Sequence, residues 1–170
     1  MMNSSMNRLK WFVGLVLLQG LIIGQIQAAR IALPLVYILF ILKLPSDFGR
    51  KQLLFYAFFL GLAVDIFGNT PGMHATASLW LAMARPALLR WQTGRDAAEY
   101  FIPRVRTMGF GPYVRYIVPG VILHAAVLNI IDTFSLTRLV DIVIGTAADA
   151  SVTIVLFLMI ELIGRKDSGT

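Results

Sequence analysis

The chain has 170 residues, of which 58% are hydrophobic and only 14% charged, with a net charge of +6 and a mean hydropathy of +0.76. A soluble domain carries about 25% charged residues, so this composition leaves too little polar surface to solvate a globule, and lipid is the expected solvent. The absence of cysteine excludes disulfides, thiolate metal sites and cysteine nucleophiles.

A membrane helix needs about 20 mostly apolar residues to cross roughly 30 Å of hydrocarbon. The first expected span is 11–28. The second, 31–44, is short, with Pro34 near its start and Pro45 at its end. Taken as one helix, 11–44 would extend about 51 Å at 1.5 Å per residue, too long for a single crossing. Gln25, Gln27, Arg30 and Pro34 interrupt the run, so two short or partly re-entrant helices are expected. A cleaved signal peptide is the other reading, because Arg8 and Lys10 precede an apolar stretch ending in Gln-Ala-Ala. Gln19 and Gln25, with Gly20 and Gly24 as a small-xxx-small pair, favour a retained helix that packs against others. The remaining spans are expected at 53–68, 72–91, 113–134 and 139–164. The loop 92–112 holds Gly94, Pro103, Gly109, Gly111 and Pro112 and cannot be one continuous helix; a short helix over 96–102 is expected within it.

With these spans drawn, thirteen of the fifteen Lys and Arg residues fall on one side and only Arg30 and Arg138 on the other. Cytoplasmic loops carry the excess of Lys and Arg, so both termini and the basic loop 92–112 are placed in the cytoplasm. The expected fold class is all-α: one integral domain over 1–170, a polytopic bundle of about six transmembrane helices in the bacterial inner membrane. Arg85 and Arg90 are expected to snorkel from a helix end, and Trp91, Tyr100, Tyr113 and Tyr116 to sit in the headgroup belt. The basic loop is expected to contact anionic lipid and to offer a docking surface to a cytoplasmic partner. Basic residues gathered at span ends point to lipid rather than to nucleic acid.

Ionisable groups at membrane depth are the first functional suspects. Asp65 falls toward the outer end of the third span and Asp149 near the middle of the sixth. The functional reading of both is a proton or cation path; the structural reading is interhelical hydrogen bonding or a helix cap. Asp65 precedes the turn Gly68-Asn69-Thr70-Pro71-Gly72, whose freed amides need acceptors. Asp149 lies among Gly145, Thr146, Ala147, Ala148, Ser151 and Thr153, a small polar face that permits close helix approach. His124 lies midway along the fifth span, with Asn129 five residues on and so on a different helix face. The chain has two His, and His74 is placed near the opposite leaflet boundary, so a zinc site is not expected. No Gly-x-Ser-x-Gly elbow and no phosphate-binding glycine loop occurs in the sequence. No catalytic residue, metal or cofactor is expected, and the chain is expected not to be an enzyme.

Residues 61–85, GLAVDIFGNTPGMHATASLWLAMAR, resemble the rod shape-determining protein MreD family. The resemblance rests on Gly61, Leu62 and Asp65, the turn 69–72, and the small residues Ala75 to Ala77. Leu33-Pro34-Leu35 is similar to that family's Pro-initiated second helix. It implies a fold like that of substrate-binding S components of energy-coupling-factor transporters. It also implies a non-catalytic part in bacterial cell elongation and peptidoglycan synthesis. The implied partners are a single-span MreC-like protein and, through it, RodA, its penicillin-binding transpeptidase and MreB. Gly61, Asp65, Gly72 and His74 map onto the family's signature turn as structural or interface candidates.

Gly14, Gly20 and Gly24 in the first span and Gly120 in the fifth permit close approach by a partner's helix. The competing class is an S component that binds a small vitamin in an outward-facing cavity. A proton-coupled carrier built on Asp65 and Asp149 is the third reading, and it lacks the internal repeats such carriers have.

Overall fold

The computed structural model describes residues 5–26, 32–92, 100–133 and 138–166. These are helical with short connections, and no strand occurs among them. Seven helices follow in chain order: α1 (Ser5–Ile26), α2 (Ile38–Leu42), α3 (Arg50–Gly68), α4 (Met73–Gln92), α5 (Val105–Met108), α6 (Phe110–Thr133) and α7 (Leu139–Lys166). Among the described residues, α3, α6 and α7 are long and apolar enough to cross a membrane. The expected spans 53–68, 72–91, 113–134 and 139–164 coincide with α3, α4, α6 and α7 to within a few residues. Pro86 and Pro119 lie inside α4 and α6 without ending them.

The long helices pack in the order α1, α3, α4, α6, α7, and α2 touches α1, α3, α4 and α6. Gly20 of α1 faces Phe67 near the end of α3, while Arg8 near the start of α1 stacks over Phe48 just before α3. The two helices therefore run parallel, and residues 32–45 supply the return.

That return is shorter in helix than the expected span 31–44. The run 31–44 is not one helix: among its described residues, 32–35 have no regular secondary structure and only Ile38–Leu42 form a helix, of five residues. Leu35 to Leu42 and Leu44 are all buried. An apolar run bathed in lipid must be a helix to satisfy its own backbone; one wrapped in protein need not be, provided other side chains serve its amides and carbonyls.

The short helix expected at 96–102 falls mostly outside the described residues, and its described part, 100–102, is not helical. Ser46 and Phe101 account for the difference. The Ser46 amide donates to the Phe101 carbonyl at 2.9 Å, and the Phe101 amide to Ser46 Oγ at 3.0 Å. This backbone is thus paired across the bundle end rather than along its own chain. The helical turn comes later, at α5, and Gly109, with φ of +84°, breaks it from α6.

Candidate functional site

Asp65 is buried one turn before the end of α3. Its Oδ1 accepts from Thr70 Oγ1 at 3.0 Å and from the His74 amide at 2.9 Å; Oδ2 accepts from the Ala75 amide at 3.0 Å. The first amides of a helix have no partner within it and carry partial positive charge, so a carboxylate there both satisfies and stabilises them. Asp65 caps α4 from the preceding helix. The chain can return so sharply because Asn69 is left-handed (φ 50°) and Gly72 takes φ of +84°. The cap also needs α3 and α4 in near backbone contact. A Cβ on Gly61 would fall on the His74 carbonyl and on the N and Cα of Ala75. Gly61, Asp65, Gly72 and His74, expected together at one turn from the resemblance, form one joint.

A second set of side chains serves the irregular segment 33–45. The Leu33 amide donates to Asp149 Oδ1 at 2.7 Å, the Leu35 amide to Thr153 Oγ1 at 2.9 Å, and the Val36 amide to Gln19 Oε1 at 2.9 Å. Pro34, between them, has no amide to satisfy. At the other end, Tyr116 donates its hydroxyl proton to the Leu42 carbonyl at 2.9 Å, and Arg85 donates to the carbonyls of Leu44 and Pro45. Lys43 pairs with Glu161 at 2.6 Å, and the other oxygen of Glu161 accepts from the Val105 amide at 3.0 Å. Asp149 also accepts from Asn129 Nδ2 at 2.9 Å. Helices α1, α4, α6 and α7 thus all contribute side chains to the same strip of backbone. A buried amide or carbonyl left without a partner costs about 1–3 kcal/mol, and here each donor or acceptor comes from far away in sequence.

These contacts correct the expected placement of three residues. Arg85 does not snorkel; it is 1% exposed and turned inward to the carbonyls of Leu44 and Pro45, just beyond α2. Tyr113 and Tyr116 are buried rather than in a headgroup belt, whereas Trp91 and Tyr100 are exposed. The signal in Tyr116 was obscured because its aromatic body suits lipid and core alike.

At the centre of the bundle the Tyr37 hydroxyl lies 3.0 Å from His74 Nδ1 and 2.6 Å from His124 Nε2. All three side chains are buried, and both imidazoles meet the phenol ring edge-on. A hydroxyl has one proton, so Tyr37 donates to one imidazole nitrogen and accepts from the other. Position along the helices placed the two histidines at different depths; they share one hydroxyl because Tyr37 comes from the segment threaded between α4 and α6. Among the described residues no three His, Cys, Asp or Glu gather as metal ligands. Sequence reading missed Tyr37 altogether, its only cue being a polar tip in an otherwise apolar run. Tyr37→Phe removes the partner of two buried ring nitrogens and is expected to lower stability by about 1–3 kcal/mol. Thermal unfolding in detergent, followed by circular dichroism, measures this.

The glycines singled out as partner surfaces divide differently. A Cβ on Gly20 would sit 2.9 Å from the Phe67 ring, and one on Gly120 would touch Leu42 and Leu81. Both already serve packing within the chain. Gly24 is in α1, but its surroundings lie outside the described residues. Gly14 is exposed, and a Cβ there would meet nothing within 4 Å. Leu17, Leu18 and Leu21 continue its outward face. No family model matches the chain, and no curated protein or solved structure matches it.

Proposed function

We propose that this chain is a multi-pass protein of the bacterial inner membrane, crossing it six times with both termini cytoplasmic. It serves as a non-catalytic scaffold of the cell-elongation machinery. A single-span MreC-like protein packs against its helices, and through that partner it positions RodA, the penicillin-binding transpeptidase and MreB. The observation that carries this reading is the joint of Gly61, Asp65 and the first turn of α4. The residues on which the MreD resemblance rests are the ones that lock α3 to α4. Two further features support it. Leu35 to Leu42 and Leu44 are buried among the helices, a packed interior that suits a scaffold better than a vitamin binder. The carboxylate oxygens of Asp65 and Asp149 accept from amides and a hydroxyl, a structural employment rather than a carrier's.

The exposed face of α1 around Gly14 is the proposed seat of the partner helix, since small residues let helix backbones approach closely. A mild-detergent pull-down of the tagged protein from native membranes, read by mass spectrometry, tests the reading. Recovery of an MreC-like single-span protein is expected, and Gly14→Phe is expected to cut that recovery about tenfold, the effect of roughly 1.4 kcal/mol. Unchanged recovery with Gly14→Phe removes α1 as the seat. Recovery of a transporter coupling subunit with paired ATPases instead replaces the scaffold with a vitamin transporter.

A further inference from the structure

We propose that the groove between the beginnings of α1 and α3 binds the headgroup of an anionic glycerophospholipid. The groove has a volume of about 520 Å³ and is lined by Arg8, Phe48, Lys51, Gln52, Phe55 and Tyr56. Its walls combine two cations and an amide with three aromatic rings, and none of the six residues is acidic. Asp47, in the turn before α3, is exposed and is not among them. The first turn of α3 also carries no acid.

Each wall has a distinct part in recognition. The Arg8 guanidinium carbon lies 5.4 Å from the Phe48 ring centroid, a cation–π contact that orients the planar fork. A guanidinium held in this way suits the paired oxygens of a phosphodiester, while an ammonium such as Lys51 acts as a mobile point charge. Phe48 and Phe55 both pack on Tyr56, at 5.7 Å and 6.3 Å between ring centroids, giving the groove a stiff floor. The aromatic wall does not end at the groove. Phe59, one turn further along α3, has its ring 4.5 Å from that of Phe55, and both are exposed. A free phosphate ion has no use for that continuation. A lipid does: its phosphate sits between Arg8 and Lys51, and an acyl chain lies along Phe55 and Phe59 on a helix apolar enough to cross a membrane. This occupant is separate from diffuse attraction of anionic lipid to the loop after α4, and it does not depend on the scaffold role.

The test uses the full-length protein in an uncharged detergent, titrated with phosphatidylglycerol or phosphatidylcholine and read by native mass spectrometry. Phosphatidylglycerol is expected to be retained about tenfold better than phosphatidylcholine, and Lys51→Glu to remove that preference, since each surface cation contributes several-fold to anionic-lipid affinity. Lys51 is exposed, so the change leaves the bundle intact, and Lys51→Arg is expected to retain binding. Arg106→Glu, also exposed and in the loop after α4, is expected to leave retention unchanged. Equal retention of the two lipids overturns the proposal, as does an Arg106→Glu loss equal to that of Lys51→Glu, which would mean diffuse attraction. Displacement of phosphatidylglycerol by millimolar inorganic phosphate also overturns it, by making the ligand a free anion.

Discussion

Asp65→Ala is expected to destabilise the protein by about 2–6 kcal/mol, because it strands two buried amides at about 1–3 kcal/mol each. Those are the amides of His74 and Ala75, at the start of α4. The carboxylate is only 3% exposed, so the acceptor it supplies is a buried one. Asp65→Asn keeps one acceptor oxygen and is expected to fall between Ala and the parent. Thermal midpoints of the three proteins in one detergent give the ranking. An Ala midpoint equal to the parent's would mean that the first turn of α4 finds other acceptors, and the cap would not be what fixes the turn.

Gly61→Val is expected to cost about 3 kcal/mol or more, the upper end of overpacking effects. Overpacking is often relieved by a side chain that swings aside, but here the atoms in the way are backbone of His74 and Ala75. Even Gly61→Ala introduces the offending Cβ. Gly14→Ala, where the added atom meets nothing, is the matched control and is expected to change stability by less than about 0.5 kcal/mol. Asp65 and Gly61 both act on the first turn of α4, so the doubly substituted protein is expected to lose less than the sum of the two changes. Additive losses would show the close approach and the cap to be independent features.

The long helices were readable because an apolar run in lipid has one backbone solution, and length then fixes the boundaries. Hence α3, α4, α6 and α7 lie close to their expected positions despite Pro86 and Pro119. Residues 31–44 were not readable for the same reason inverted: hydropathy does not distinguish an apolar segment facing lipid from one enclosed by protein. Of the joint between α3 and α4, each residue was visible. Asp65 stood out as a carboxylate at membrane depth before a Gly-rich turn, although nothing in the sequence told which amides it would serve. Gln19, Thr153 and Tyr116 were invisible as a group because their partners are backbone atoms, which have no signature in side-chain chemistry. The contact between His74 and His124 through Tyr37 was hidden by a depth argument that treated each helix as straight and independent.

The strip of backbone at 33–45 also sets an order of events during synthesis. Its amides at Leu33 and Leu35 have acceptors at Asp149 and Thr153, 116 and 118 residues further along. Its cation at Lys43 waits for Glu161. Helices that satisfy their own backbone can enter the bilayer one at a time as they leave the ribosome, but this segment cannot settle at its final depth in that way. Until α7 is made, the amides of Leu33 and Leu35 and the cation of Lys43 lack these partners. A chain halted before residue 149 therefore lacks the acceptors of Leu33, Leu35 and Lys43. Helix α7 thus locks an early segment into the interior of the fold.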